Sequence, residues 1–236
     1  MKPYFQTLSP EELEGYELDQ LLALGFYRMH QTIFTVSHIE HGELYRVHWL
    51  RYSVGHLKHR AAHRRIRSRA KNFTHTIEEA TSILPEHKQL HARYRASIHF
   101  DGAISIEDCL FGEDDEGSSI YKTKCISVFD DGRLIAAGYL DLGDSAAASI
   151  LHFFDPQYGR YSLGKYLILL TADYLREHYY EFYYPGYVVQ GLPKMDYKLF
   201  LGREEAHYFD PEDATWKKFD ERILMRDPSE GNQRFN

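Results

Sequence analysis

Apolar and polar positions fall into their most regular order late in the chain. Residues 150–198 read ILHFFDPQYGRYSLGKYLILLTADYLREHYYEFYYPGYVVQGLPKMDYK. An apolar run, a glycine-bearing turn, a helix-period stripe through Tyr166, Leu167, Leu170 and Tyr174, an aromatic run and a lysine-flanked loop follow one another. That succession predicts strand, loop, helix, strand and loop, a crossover unit that lays two strands side by side with a helix on their face. Ahead of it, residues 121–129 and 133–140 read as strands joined through Asp130, Asp131 and Gly132, and 147–154 as a third. Behind it, 195–201 predicts a short helix, and 205–209 with 215–219 a last strand pair.

The first half is less regular. Ser9, Pro10, Glu11 and Glu12 predict a helix start, with the helix running to Leu24 and stopped by Gly25. Aromatic and β-branched residues over 26–49 predict short strands with a hairpin near Gly42. Val54, Leu57, Ala61, Ala62 and Ile66 give a thin stripe to a basic helix over 54–71. Helices are expected over 77–84 and 86–99, with His87 and His91 on the surface of the second. Ser105 and Asp108 have capping-box spacing for a short helix that ends at Gly112. The acidic run 113–116 reads as a solvated loop and 227–236 as a frayed end. The order of elements predicts an α+β fold with a mixed, largely antiparallel sheet flanked by helices. We divide it into an N-terminal module with the basic helix (1–75), a main domain (76–222) and a polar tail (223–236).

Composition adds a compartment and a charge contrast. The 236 residues are 43% hydrophobic and 15% aromatic, as in a globular protein, and no run approaches the roughly eighteen apolar residues of a membrane span. No signal-peptide pattern opens the sequence, and Cys109 and Cys125 cannot make a disulfide framework, so a cytoplasmic protein is expected. The net charge of -7 hides a stretch, 44–77, without a single acid. It carries Arg46, Arg51, Lys58, Arg60, Arg64, Arg65, Arg67, Arg69 and Lys71, which would repel one another unless something anionic lies against them. The plainer reading is a solvated cationic face. His56, His59 and His63 share ligand-like spacing there, but the arginines around them resist a divalent ion, and neither metal nor cofactor is expected.

The motifs Phe153-Phe154-Asp155-Pro156, Ser162-Leu163-Gly164 and Lys194-Met195-Asp196-Tyr197-Lys198, in that order and with Gly186 and Tyr187 between, resemble the catalytic region of arginyl-tRNA-protein transferases and bacterial aspartate/glutamate leucyltransferases. Gly25, Phe26, Arg28 and His30 match a further stretch of that family. Its cysteine cluster is missing, with His38, Ile39, Glu40 and His41 in its place, and Gly191 stands where relatives often have cysteine. The resemblance implies a GNAT-like acyltransferase fold and transfer of arginine or leucine from aminoacyl-tRNA to the N-terminal amine of an acceptor protein.

It further implies substrate contacts from Arg28, His30, Asp155, Ser162, Gly164, Tyr166, Gln190, Lys194 and Lys198. Lys58, Arg60, Arg64, Arg65, Arg67, Arg69 and Lys71 would hold tRNA phosphates. Asp196 would accept the proton of the attacking amine, and Tyr197 would serve the departing ribose hydroxyl. Ser162 reads as a helix N-cap and not as a nucleophile, while Asp155 is equally a turn former. Arg160, with three residues before Gly164, fits a pyrophosphate cradle poorly, which argues against a CoA thioester. Such an N-acyltransferase stays as the alternative, beside a non-catalytic RNA-binding relative.

Overall fold

The computed structural model describes residues 3–98, 102–112 and 119–225. In chain order the elements are β1 (Phe5–Leu8), α1 (Gly15–Ala23), β2 (Tyr27–Met29), β3 (Thr32–Val36), β4 (His38–His41), β5 (Glu43–Ser53), α2 (Ala61–Arg69), β6 (Thr74–Glu79), α3 (Pro85–Ser97), α4 (Ile106–Phe111), β7 (Thr123–Asp130), β8 (Arg133–Leu142), β9 (Ala146–Phe154), α5 (Leu163–Glu177), β10 (Phe182–Val189), β11 (Ala206–Asp210) and β12 (Thr215–Lys218). Short 3-10 turns lie at Val54–His56, Pro156–Tyr161, Pro193–Leu199 and Glu221–Leu224.

Strand alternation sorts the core into two layers. Ile126 and Val128 of β7 face α5 with Leu140, Leu167 and Leu170. Cys125 of the same strand faces the other way, into a cluster with Leu90 of α3 and Leu110 of α4. Beside that second cluster, α1 and the small β1-β3-β2 sheet bury Leu18, Leu22, Tyr27 and Trp49. The large sheet runs β12-β11-β5-β10-β9-β8-β7-β6, with β4 paired to β5. Among the described residues only β9 and β10 pair in parallel, and α5 is their crossover. An α+β fold with a mixed, largely antiparallel sheet and helices on its faces is therefore what the chain adopts. The stretch 1–75 contributes β5 to the middle of that sheet. No helix among the described residues is long and apolar enough to cross a membrane.

Several local expectations give way to tertiary contacts. The first helix begins at Gly15, not Pro10, because it docks where Asp144 leaves no room for a side chain at position 15. Asp19 fixes it there by accepting hydrogen bonds from Ser145 N, Ser145 Oγ and Ala146 N. The helix expected over 77–84 is replaced by β6, whose Thr74, Thr76 and Ile77 pair with β7 in antiparallel register. The basic helix is shorter than its pattern and starts only at Ala61, since Val54 N still bonds Glu181 O and Arg60 is held in an extended backbone. His87 and His91 are buried and not on the surface: His87 Nε2 lies 2.9 Å from Ser127 Oγ, and His91 meets the Phe153 ring edge-on at 5.2 Å. The acidic run 113–116 and the end 227–236 fall outside the described residues.

Candidate active site

The cleft begins where the parallel pair stops. Ala146, Ala147 and Ala148 pair with Phe182, Tyr183 and Tyr184, and beyond them the strands part. The sequence explains why. Pro185 has no N–H to give a ladder, Gly186 sits at φ +96, and the β10 register against β5 shifts between Tyr183 and Gly186. β9 bulges at the same level, since Tyr139 opposes Leu151 while Leu140 opposes Ser149, which leaves Ile150 without a partner on β8.

Two cavities open into this gap. One, of about 480 Å³, has aromatic walls from Tyr27, Phe34, Trp49 and Tyr187, and the Ser149 hydroxyl, 2.7 Å from Tyr183 Oη, on its floor. The other, of about 590 Å³, lies at the start of α5 and is lined by Tyr94, Phe154, Gly159, Ser162, Gly164 and Lys165. Ile150, Leu151, His152, Tyr197 and Lys198 border both. Arg95, Lys165, Lys194 and Lys198 put four cations around the second cavity, and among the described residues no carboxylate side chain lines it. Ser162 has left-handed backbone angles and its hydroxyl caps nothing; its carbonyl accepts from Lys165 N and Tyr166 N, so the amides ahead of these get no side-chain cap, and the positive dipole end of the fifteen-residue α5 lies at that cavity. An anionic or carbonyl ligand suits such a place.

Lys198 occupies the junction. Its Nζ donates to Tyr187 O at 2.9 Å and lies 4.6 Å from the centre of the Tyr187 ring. A Cβ at Gly186 would stand 3.2 Å from that nitrogen, so glycine there makes the seat. No carboxylate forms an ion pair with it among the described residues, and burial lowers its ammonium to about 8. His152 faces the same space. Burial, helped by the charge of Lys198, lowers its imidazole to about 4, so it is neutral at physiological pH. Gly138 gives it room, since a Cβ there would sit 2.7 Å from His152 Cδ2. Sequence reasoning passed over His152, although a histidine within an otherwise apolar strand is the signal that marks it.

The structure separates the other sequence candidates. Ser162, Gly164, Lys194, Tyr197 and Lys198 line the cationic cavity, and His30 lines the aromatic one, with its Nδ1 2.5 Å from Asp108 O. Arg28 borders the aromatic cavity too, but its guanidinium is spent inside the protein. It bonds Asp141 at 2.8 Å, Thr123 Oγ1 at 3.0 Å, His30 O at 2.8 Å and Leu110 O, and lies over the Tyr121 ring. Asp155 caps the turn after β9 by accepting from Gln157 N at 3.0 Å, and pairs with Arg133 at 2.5 Å. Tyr166 faces the core from α5, Gln190 donates to Met225 O at 2.6 Å, and Asp196 pairs with Arg203 at 3.1 Å. None of these last four lines either cavity.

The acid-free stretch finds its counter-charges from far along the chain. Arg67 makes a two-pronged contact with Asp173 at 2.6 and 2.9 Å, Arg60 pairs with Glu204 and Glu205, and Lys58 reaches Glu205 at 3.5 Å. Self-repulsion is thus relieved within the fold. Arg64, Arg65, Arg69 and Lys71 remain exposed. Arg69 donates to Arg160 O, at the turn that leads into α5, so this face adjoins the cationic cavity. His63 is buried and bonds Phe200 O, which leaves no three-histidine face.

Residues 86–206, just over half of the chain, match the family described as arginine-tRNA-protein transferase, C terminus. The chain belongs to this transferase family. It is 29% identical over 154 residues to an aspartate/glutamate leucyltransferase of Acinetobacter baylyi, covering 64% of this chain and 53% of that one. Over 74 residues it is 35% identical to arginyl-tRNA–protein transferase 1 of Saccharomyces cerevisiae, covering 31% of this chain and 15% of the yeast protein. The chain spans about half the length of the leucyltransferases it matches. Among solved structures, the C-terminal domain of a putative lysylphosphatidylglycerol synthetase from Agrobacterium fabrum aligns at TM-score 0.47 and 19% identity, over 60% of this chain and 48% of that domain. The transferase family's matched region takes in both cavities' shared wall, from Ile150 to Lys198.

Proposed function

We propose that this chain moves an aminoacyl group from aminoacyl-tRNA to the N-terminal amine of an acceptor protein. The observation that carries this reading is the pair of cavities of unlike character meeting at one wall, where β9 and β10 part. A cavity with four cations and no carboxylate among its described lining residues suits the terminal nucleotide of the donor, and the adjoining Arg64, Arg65, Arg69 and Lys71 suit the phosphates of its stem. Residues 1–75 then supply the RNA-facing surface and part of the aromatic cavity, and 76–222 supply the cleft.

The ester carbonyl comes to the shared wall, near the α5 amides and the bulge at Ile150. The incoming amine attacks it, and backbone donors stabilise the oxyanion of the tetrahedral intermediate. The C–O bond to ribose then breaks, the amide remains, and one proton passes from the amine to the departing hydroxyl. Of the groups named for substrate contact, Lys194 and Ser162 serve the donor and His30 serves the aromatic cavity. Arg28 holds His30 and α4 in place for it. The product gains a new first residue, the kind of mark an N-degron system reads, and dependence on charged tRNA sets the work in the cytoplasm.

Incubation with labelled arginyl-tRNA, leucyl-tRNA and acetyl-CoA, plus peptides beginning with Asp, Glu, Lys or Arg, tests the reading. Label moving from tRNA to a peptide amine supports it. Label moving only from the thioester points to the N-acyltransferase, and tRNA binding without transfer to a non-catalytic relative.

A further inference from the structure

We propose that Lys198 is the proton carrier of this reaction, accepting the proton of the attacking amine and returning it to the ribose oxygen as the ester bond breaks. The inference rests on the aminoacyl-transfer reading and adds to it the group that carries the proton. Asp196, the carboxylate nearest in sequence, is paired with Arg203 and lines neither cavity, so it does not reach the junction. Lys198 does, and among the described residues it alone joins a flexible stem and an amine nitrogen to a position bordering both cavities.

Three features suit Lys198 to the work. Gly186 leaves space for its nitrogen, and Tyr187 O accepts one of its N–H groups, which aims the lone pair of the neutral amine away from that carbonyl. No carboxylate among the described residues forms an ion pair with it: the neutral His152 faces it from β9, Tyr187 from β10, and Tyr197 from its own turn at 5.9 Å, while Arg95, Lys165 and Lys194 border the same cavity and Asp108 borders the aromatic one. Burial holds its ammonium near 8, close to the range of a peptide α-amine, so a useful share is neutral at working pH. The protons balance. The amine nitrogen loses one as the C–N bond forms, neutral Lys198 becomes an ammonium, and that ammonium protonates the ribose oxygen as the C–O bond breaks. Lys198 ends neutral, as it began.

The test is single-turnover transfer by the full chain from the aminoacyl-tRNA it uses, scanned over pH with an electron-poor amine acceptor whose own titration lies below the scanned range. The wild type is expected to rise to a plateau with an inflection near 8. Lys198→Arg, which keeps the charge but cannot shed its proton, is expected to be slower by about 10²- to 10⁴-fold with the inflection gone. Lys198→Ala is expected to lose as much and to recover part of its rate when a small alkylamine is added. Thermal melts confirm that both variants fold. A Lys198→Arg variant with wild-type rate and profile would overturn the proposal and leave the aminoacyl-transfer reading standing. A wild type inert with every charged tRNA would overturn that reading and the proposal with it.

Discussion

Arg28 of β2 and Asp141 of β8 form an ion pair at 2.8 Å with both side chains 1% exposed, which ties the small N-terminal sheet to the large one. The guanidinium also bonds Leu110 O and His30 O, so a single side chain sets the positions of α4 and of one end of the aromatic cavity. Replacing it by Met leaves a carboxylate buried without its partner, and Asp141 Oδ2 already lacks one. Arg28→Met is expected to cost about 3–5 kcal/mol in urea unfolding. The double variant Arg28→Met/Asp141→Leu is expected to recover much of that, because it removes the stranded charge.

Gly186 offers a test of the cleft that leaves every polar group in place. An alanine there meets a φ of +96 and brings Cβ within 3.2 Å of Lys198 Nζ. Backbone strain of this kind costs about 1–3 kcal/mol. Gly186→Ala is expected to remain folded, with a melting temperature a few degrees lower, while transfer in the labelled-tRNA assay falls at least tenfold. A variant that loses stability and keeps its rate would place the reacting atoms away from the junction.

The basic face divides into cations that hold the fold and cations free to meet RNA. Arg64→Gln/Arg65→Gln/Lys71→Gln is expected to weaken tRNA binding in a filter or anisotropy assay. The slope of log K against log salt should flatten by about 0.7–0.9 for each phosphate that the protein no longer neutralises, with the melting temperature unchanged. Arg67→Gln breaks the half-buried pairing with Asp173 between α2 and α5, and is expected to cost about 1 kcal/mol of stability instead.

That division marks the limit of what the chain reveals before it folds. The crossover unit and the hairpin ahead of it were legible because their signals are local: the α5 stripe, the glycine-bearing turn before it and the Asp131-Gly132 turn all act within a few residues. Asp131 and Gly132 indeed take φ values of 48 and 75, as a two-residue hairpin requires. Counter-charges are not local. Glu205 meets Arg60 across 145 residues, so an acid-free window read as self-repelling. β6 shows the same limit, since Ile77, Ala80, Ile83 and Leu84 mimic a helix stripe until β7 offers its edge. At the site, the Lys-Met-Asp-Tyr-Lys motif located the turn but not its directions. Pro193–Leu199 winds as a 3-10 helix, and its side chains divide between Arg203 on one side, where Asp196 points, and the cleft on the other, where Tyr197 and Lys198 lie.

Histidines within the fold set a stability limit on the acid side. Burial holds His48 and His152 near 4, and lowers His63, His87, His91 and His207 below their ordinary value. An unfolded imidazole titrates at about 6.5, so between that pH and the folded values the unfolded chain binds more protons, and stability rises with pH. The contribution is whole above about 6.5 and is lost as pH falls toward 4. For His48, 5% exposed and with Nε2 unpartnered, it amounts to about 3 kcal/mol when fully expressed. Glu205, held low mainly by Arg60 against the opposing effect of burial, gives way only in a lower window. Urea midpoints measured from pH 7.5 down to 4.5 are therefore expected to fall steadily below about 6.5. In His48→Leu the decline should be shallower, since Tyr208, whose ring it meets edge-on at 5.8 Å, packs against leucine without a proton to accommodate. A His48→Leu curve parallel to the wild type would assign the acid sensitivity to the other histidines.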